Sequence, residues 1–309
     1  MTLQELRYIV ALADTGHFGK AAEACHISQS TLSTQVKKLE DFLGVMLFDR
    51  SLKHIALTPV GREIVASSRL ILDEANRIRE LARQTGDPME RTVNLGVIPT
   101  LGPYYLPHVL TLLHGKYPKL RLLLREEMTP HVLSHLADGK LDAALLALPV
   151  DDANLEVVPL FKEPFLAAVP AKHKLANANT VNIKELVQAG LLLLEEGHCL
   201  REHALEACHL DGLQNEEISA TSLETLRQMV GMGLGVTLIP VLASGGATAD
   251  VSQVALRPLA APGASRTIGL VWRKRSPLAA TMEQLAQSLK EALPPHTLAA
   301  CRASDFDLT

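Results

Sequence analysis

The sequence has no apolar run long enough to cross a membrane. The longest one, residues 143–150, has eight residues, whereas a membrane-spanning helix needs about 20. The first seven residues also lack the basic segment and apolar stretch of a secretory signal. We therefore expect a cytoplasmic protein that makes no contact with a membrane.

Cysteine is scarce, with four residues in a chain of 309. Structural disulfides rarely persist in a reducing cytoplasm, so a cysteine pair there is more often redox-sensing, catalytic or metal-binding. The sequence contains no Cys-x-x-Cys motif and no glycine fingerprint for a dinucleotide. Because these motifs are absent, we expect that the protein is not an enzyme and that it binds no cofactor.

An excess of basic charge is also missing. The chain has 30 Lys and Arg against 34 Asp and Glu, and the part up to Arg91 has twelve of each kind. Any DNA-binding surface must therefore come from local clustering of basic residues. The length of 309 residues, with 47% hydrophobic and 21% charged residues, indicates two or three folded domains.

Two of the four cysteines lie close together, at Cys199 and Cys208. Between them, Leu200, Ala204 and Leu205 have the spacing of a short helix. Nine helical steps separate the two Cα atoms by about 13 Å, whereas a disulfide requires less than about 7 Å. The helix and a bond between these cysteines therefore exclude each other.

Cys199 is placed at the predicted N-terminus of this helix, beside His198 and two residues before Arg201. This setting favours the thiolate, which is the form of cysteine that attacks peroxide, although Glu195 and Glu196 oppose it. The simpler alternative is that both cysteines are small buried hydrophobic residues.

A metal site is a further alternative, since His198–Cys199 and Cys208–His209 form two Cys-His pairs. Their separation does not match the compact ligand pairs of structural zinc sites. We therefore predict no metal.

The N-terminal segment predicts a helix-turn-helix. Thr2 and Glu5 form a capping box for a first helix that ends near Gly16, a second helix covers residues 19–25, and a third covers residues 29–43. The third helix turns outward the polar side chains of Gln29, Ser30, Thr31, Ser33, Thr34, Lys37 and Lys38. Gln, Ser and Thr suit base edges and Lys suits phosphate, although any soluble helical hairpin has a polar face.

A hairpin-like wing follows the third helix, with Arg50, Lys53 and His54 near its tip.

Residues 59–86 predict a long helix with a heptad seam. Its positions are Val60, Ile64, Ser67, Ile71, Glu74, Ile78 and Leu81. Ser67 and Glu74 weaken the seam, so we expect a dimer that other contacts support. Residues 86–88, Gly-Asp-Pro, end this helix.

From Thr92 onward, short apolar runs alternate with amphipathic helices, which predicts an α/β domain with largely parallel strands. The predicted strands are residues 93–97, 120–124, 143–148, 191–194, 236–239 and 267–272. Ligands in such sheets bind at the carboxyl ends of strands and at helix N-termini. Thr100, Thr129 and residues 198–201 have such positions, although a plain helix N-cap is the favoured explanation for either threonine considered alone.

Several N-terminal motifs resemble the winged helix-turn-helix of LysR-type transcriptional regulators. They are residues 18–22 (Phe-Gly-Lys-Ala-Ala), 28–33, 38–40, 47–50 and 57–61. Ser30 stands where most members have proline, which weakens the start of the helix only slightly. The remainder resembles the effector domain of the same family, which has two α/β subdomains like those of periplasmic binding proteins.

The resemblance implies four parts of the chain. They are a DNA-binding domain at residues 1–58, a dimerisation helix at 59–86, an effector domain at 90–295 and a flexible tail at 296–309. Within the effector domain, subdomain I would comprise residues 90–161 and 266–295, and subdomain II residues 162–265.

Residues 197–201 (Gly-His-Cys-Leu-Arg), Cys208, residues 221–225 and residues 235–240 more specifically resemble the peroxide-sensing members of this family. The resemblance implies that Cys199 is the peroxidatic cysteine and Cys208 the resolving one. It further implies a peroxide pocket lined by Thr100, Thr129, His198 and Arg266, with Arg201 and Asp142 supporting it. Cys25 is then a packing residue and Cys301 incidental.

The function implied is redox-controlled activation or repression of antioxidant-defence genes. The implied partners are double-stranded promoter half-sites, hydrogen peroxide, further copies of the chain in a homodimer and homotetramer, thioredoxin- or glutaredoxin-type reductants, and RNA polymerase. The competing interpretation is a LysR-type regulator that binds a small organic ligand in the cleft of the effector domain.

Overall fold

The computed structural model describes residues 1–49, 55–82, 87–208, 219–245, 253–261, 263–293 and 297. The chain divides into two compact units, Met1–Gly86 and Asp87–Thr309. None of the helices in the described ranges combines the length and the apolar character that a membrane span requires.

The first unit has the predicted helix-turn-helix and wing. Its elements are α1 (Leu3–Thr15), α2 (Phe18–Ala24), α3 (Gln29–Leu43), β1 (Phe48–Asp49), β2 (Ala56–Leu57) and α4 (Pro59–Ala82). The Thr2–Glu5 capping box begins α1, and Gly16 ends it in the left-handed conformation. Ser28 caps α3 by accepting a hydrogen bond from the Thr31 amide at 3.1 Å. The structure therefore confirms the predicted start and end of α1 and the predicted start of α3.

The buried faces of the helices form the core of this unit. Leu12, Leu32 and Val36 are fully buried there. The buried Glu40 carboxylate accepts hydrogen bonds from the amides of Leu47 and Phe48, at 2.8 and 3.2 Å, and so ties the wing to α3. The wing strands pair antiparallel. Its predicted tip, with Arg50, Lys53 and His54, lies outside the described residues.

The second unit is an α/β structure. Its strands are β3 (Thr92–Val97), β4 (Arg121–Glu126), β5 (Ala143–Leu148), β6 (Leu155–Pro170), β7 (Leu193–Leu194), β8 (Ser219–Ala220), β9 (Thr237–Pro240), β10 (Val254–Pro258) and β11 (Ser265–Arg273). Its helices are α5 (Gly102–Lys116), α6 (Thr129–Ala137), α7 (Ile183–Gln188), α8 (Cys199–Ala207), α9 (Leu223–Gly231) and α10 (Ala279–Glu291), with 3₁₀ turns at Lys174–Asn177 and Val241–Gly245.

The prediction of largely parallel strands is wrong for the main sheet. Its order is β10-β6-β11-β5-β3-β4, with β9 also paired to β6. Among the described pairings of this sheet, only β3–β4 and β3–β5 are parallel, whereas β6 and β11 run antiparallel to each other and to their other neighbours. An apolar run does not show the direction of a strand, and β6, which spans both halves of the sheet, pairs antiparallel first with β11 and then with β9 and β10.

Strand β6 was missed in the sequence because Pro159, Pro164 and Glu163 interrupt its apolar pattern. Its first half, including Phe161, packs in one hydrophobic core with β3, β5 and α10. Its second half, from Phe165, packs in another core with α8 and α9. Strand β6 therefore joins two separately packed cores.

Candidate functional site

The predicted helix between the two cysteines is present as α8. Cys199 is its first residue, and Cys208 follows its last residue as the C-cap, donating its amide to the Ala204 carbonyl at 3.0 Å. Both side chains are buried and both thiols are free. A helix of this length holds the two Cα atoms about 13 Å apart, so a disulfide cannot form until α8 unwinds.

The two cysteines pack in different cores. Cys199 belongs to the core that contains β3 and β5, whereas Cys208 belongs to the core that contains Leu200 and Ala204 of its own helix. Burial raises the pKa of the Cys208 thiol above its usual range, because an apolar environment disfavours the thiolate. The C-terminal end of a helix opposes negative charge as well. Cys208 is therefore poorly suited to react first.

Gly197 positions the turn that precedes α8. Its φ is +92°, a left-handed conformation that side-chain-bearing residues rarely adopt. A Cβ atom at Gly197 would lie 2.9 Å from the Met128 sulfur. The glycine therefore lets the β4–α6 loop approach the turn before α8 closely, which brings Thr129 and His198, the residues that follow Met128 and Gly197, to neighbouring positions.

Thr129 and His198 each have a buried polar atom without a partner. Thr129 Oγ1 and His198 Nε2 have no hydrogen-bond partner within the protein, and His198 is 3% exposed. Buried polar atoms are nearly always hydrogen-bonded, so a site with two unpartnered atoms beside Cys199 suits a small polar ligand. Neither Thr100 nor Thr129 is a helix N-cap, because Leu101 and Met128 have those positions.

Thr100 is held by a buried charge network. The Arg266 guanidinium donates to Thr100 Oγ1 at 2.7 Å, to the Thr100 carbonyl at 3.0 Å and to Glu163 Oε2 at 2.8 Å. The Arg266 and Glu163 side chains are fully buried and are direct partners across β11 and β6. The other Glu163 oxygen accepts from the Leu242 amide at 3.0 Å. Arg266 therefore acts on Thr100, whose hydroxyl proton stays available to donate.

The two residues expected to support the pocket have different positions. Arg201 donates to the Leu194 carbonyl at 3.0 Å and so ties α8 to the end of β7. Asp142 accepts from the backbone and side chain of Asn94, at 2.7 and 2.9 Å, at the start of β5. The other end of β5, Leu148, pairs with the neighbour of Arg266, about 20 Å away along the strand. Asp142 is therefore separated from Arg266 by the length of β5, and its supporting role stays a prediction.

Two residues of the site were missed in the sequence, Glu163 and His203. Glu163 had the signal of a lone carboxylate in an otherwise apolar stretch. His203 had the signal of its spacing, four residues after Cys199. The Nδ1 atom of His203 is buried without a hydrogen-bond partner. Burial, followed by the Arg266 charge, lowers the pKa of His203 below its usual range.

The outward face of α3 is polar, as predicted. Gln29, Ser30, Thr31, Thr34, Lys37 and Lys38 are exposed, and Ser33 is half-buried. Some of the hydroxyls are engaged locally, since Ser28 Oγ lies 2.7 Å from Thr31 Oγ1 and Thr34 Oγ1 donates to the Ser30 carbonyl at 2.9 Å. Gln29 and the two lysines remain as long side chains at the surface. Arg50 and Lys53, the other predicted contacts, lie outside the described residues.

No set of three or more His, Cys, Asp or Glu side chains in the described part of the chain is arranged to hold a metal ion.

Comparisons with known proteins cover both units. Residues 3–62 match the model of the bacterial regulatory helix-turn-helix protein, lysR family, and residues 86–294 match the LysR substrate binding domain. The chain is 43% identical over 297 residues to the DNA-binding transcriptional dual regulator OxyR of Escherichia coli K12, covering 96% of this chain and 97% of the relative. It is 42% identical over 303 residues to the hydrogen peroxide-inducible genes activator of Dickeya chrysanthemi, covering 96% and 97%.

A solved structure is also similar over nearly the whole chain. The full-length OxyR of Pseudomonas aeruginosa, with aspartate in place of a cysteine, superposes with a TM-score of 0.83 at 41% identity, covering 96% of this chain and 97% of that one.

Proposed function

Since the chain belongs to the LysR family of bacterial regulatory proteins, in the group that contains the hydrogen peroxide-inducible gene activators, we propose that it regulates transcription in response to hydrogen peroxide through Cys199 and Cys208. The observation that carries this proposal is the position of Cys199 at the start of α8, directly after His198, in a turn that Met128 approaches, with His198 Nε2 and Thr129 Oγ1 both buried and unpartnered. Peroxide is small enough for such a site and both donates and accepts hydrogen bonds.

The first chemical step oxidises Cys199. Its thiolate sulfur attacks one peroxide oxygen and the O–O bond breaks, so that the sulfur becomes a sulfenic acid and the second oxygen leaves as water after taking up a proton. Cys199 is the first residue of α8, at the positive end of the helix dipole. We assign Thr100, Thr129 and His198 to holding the peroxide and supplying that proton, and Arg266 to orienting Thr100.

The second step links the two cysteines. The Cys208 sulfur attacks the sulfenic sulfur, a disulfide forms and water leaves. The bond requires α8 to unwind, which withdraws Leu200 and Ala204 from their core. The change in packing is the signal. Thiol donors of the thioredoxin or glutaredoxin type would reverse it, because a bond formed at the expense of a helix is easily reduced.

The output is a change in how the protein binds DNA. We propose that α3 reads double-stranded promoter half-sites, that α4 pairs two copies, and that effector domains pair the dimers into a homotetramer, since two-fold half-sites require two-fold protein symmetry. We further propose RNA polymerase as the partner at the promoter and the cytoplasm as the compartment. The functional division remains residues 1–58, 59–86, 90–295 and 296–309, with the two effector subdomains as predicted.

Thiol labelling after a brief exposure to a stoichiometric amount of peroxide tests this function. The wild-type protein should lose two labelled thiols, Cys208→Ser should form a trappable sulfenic acid at Cys199, and Cys199→Ser should not react. Cys25→Ser is the matched control and should behave as the wild type. Equal reactivity of the Cys199→Ser and Cys208→Ser variants, or no thiol loss in the wild type, would contradict the proposal.

A further inference from the structure

His203 lies one helical turn after Cys199, on the same side of α8, because residues four apart on a helix are neighbours. Its ring is tilted against the Phe165 ring of β6, with centroids 6.4 Å apart. The carbonyls of Leu148, at the end of β5, and of Cys199 face the ring, as does the positive charge of Arg266. His203 therefore joins the cysteine helix to the strand ends that hold the buried charge network.

The ring is packed in a neutral form. Its Nδ1 atom is buried and has no hydrogen-bond partner, and burial outweighs the nearby Leu148 and Cys199 carbonyls, which favour a second proton on the ring. Both effects that dominate, burial and then Arg266, disfavour a charged ring. In the reduced protein, α8 thus carries a buried titratable group whose charged form is disfavoured.

We propose that His203 is a positioning residue of the thiol switch: its neutral ring holds α8 against the ends of β5 and β6 in the reduced protein, and its protonation weakens this packing and favours the disulfide form. The inference rests on the proposed function, since it requires Cys199 and Cys208 to bond. It adds a second input, acidity, to a switch otherwise set by peroxide.

The groups around the ring do not all act in the same direction. Arg266, from β11, opposes protonation, although its charge is partly neutralised by Glu163. Glu206, on α8 itself, and the carbonyls of Leu148 and Cys199 favour protonation. Phe165, from β6, is uncharged, and its distance leaves little cation–π attraction. Burial outweighs the favourable contacts, so the net effect on the pKa of His203 is downward.

The direction of the pH effect follows from this shift. When α8 unwinds, the ring enters water and its pKa returns to the ordinary value of about 6.5. Above that pH the ring is neutral in both forms, and the packing of α8 is at full strength. As the pH falls below it, the oxidised form binds a proton that the reduced form excludes, so acid favours the disulfide.

Equilibration of the full-length protein with mixtures of oxidised and reduced dithiothreitol tests the inference. The pH dependence that ionising thiols add to this exchange is common to the wild type and to a His203 variant, so the difference between their profiles from pH 7.5 to 5.5 reports the contribution of His203. In the wild type, the ratio of disulfide to dithiol protein should rise below about pH 6.5 by up to tenfold per pH unit, the limit for one proton.

His203→Gln keeps a polar side chain without titration and should nearly abolish this rise. His114→Gln, at an exposed position on α5, is the matched control and should follow the wild type. Deuterium exchange at the histidine C2 positions of the wild type, read by mass spectrometry, should find that His203 titrates at lower pH in the reduced than in the oxidised protein. If the His203→Gln variant does not fold, this exchange measurement on the wild type tests the inference by itself.

Equal pH profiles for wild type and His203→Gln, or titration of His203 at the same pH in both redox forms, would overturn the inference and leave the peroxide switch intact. Failure of any disulfide to form between Cys199 and Cys208 would overturn the proposed function and the inference with it.

Discussion

At the scale of single residues, the site depends on one buried ion pair. Arg266 has its charge balanced by Glu163 and directs its remaining donors at Thr100. Removing one partner of a buried pair leaves an uncompensated charge, which is more damaging than replacing both partners. The stability of the fold and the orientation of Thr100 are therefore linked through the same guanidinium.

Glu163→Gln should lower the free energy of unfolding by about 3 kcal/mol, because Gln still accepts from the Leu242 amide but leaves the Arg266 charge unpaired. Urea denaturation at fixed protein concentration measures this loss. The control is Glu163→Gln combined with Arg266→Met, which removes the stranded charge and should recover part of the loss. A double variant less stable than the single one would show that the charge is not the cause.

Gly197→Ala should slow the oxidation of Cys199, because the left-handed φ strains the new residue by about 1–2 kcal/mol and the added Cβ displaces Met128 from the turn before His198. Stopped-flow measurement of the peroxide reaction gives the rate.

Gly190→Ala provides the control for strain, since Gly190 has a φ of +86° but no atom within 4 Å of its hypothetical Cβ. It should cost similar stability and leave the rate unchanged. Equal rates for both alanine variants would argue against a role for the Met128 contact.

At the scale of elements, α8 is both the support of Cys199 and the obstacle to its bond with Cys208. Residues 200–207 should show slow amide hydrogen exchange in the reduced protein and faster exchange once the disulfide has formed, because the helix and the bond are geometrically incompatible. Mass spectrometry of peptides from both redox forms measures this. Helix α9, which forms no part of the bonded segment, is the internal reference, and identical protection of residues 200–207 in both forms would exclude unwinding as the signal.

The recognition helix α3 allows two replacements with different consequences. Ser33→Ala should relax or abolish the choice of DNA site, whereas Lys37→Ala should weaken binding to all sequences and reduce the salt dependence by about one counterion. Gel-shift titrations with specific and random duplexes at several salt concentrations separate the two effects. Unchanged binding by both variants would show that another surface contacts the DNA.

The helices of the first unit could be predicted from the sequence because their boundaries are local. The Thr2–Glu5 box, Gly16 and Ser28 act on residues a few positions away. Strand β6 could not be predicted, because its prolines conceal a strand that only pairing with β11 explains.

The same contrast between local and distant contacts explains which residues of the site could be predicted from the sequence. Cys199, Cys208 and His198 were found because a short motif holds them together. Glu163 was missed because its partner Arg266 is 103 residues away. The position of Asp142 at the opposite end of β5 from Arg266 could not be predicted, because residue type does not reveal the end of the sheet at which a side chain lies.

At the scale of the whole molecule, the proposed function requires a peroxide signal in the second unit to reach DNA through the arrangement of subunits. The seam residues Ile71 and Ile78 on α4 are exposed, at 42% and 63%. Large exposed apolar side chains repeated at heptad spacing are typical of a helix that pairs with another copy. In the proposed dimer, pairing through α4 would fix the distance between the two copies of α3, and this distance must match the spacing of the two DNA half-sites.

Replacing both Ile71 and Ile78 by glutamate should therefore weaken the dimer, because four like charges would meet across the pair of seams and the apolar contact would be lost. Multi-angle light scattering at micromolar concentration should find a smaller assembly than the wild type, and affinity for a two-half-site duplex should fall much more than affinity for a single half-site. Ala66→Glu, exposed on α4 but outside the seam, adds the same kind of charge and should leave both quantities unchanged. A wild-type protein that is monomeric at this concentration would remove α4 as the pairing element, whereas an unaltered assembly in the double variant would place the pairing of subunits in the second unit alone.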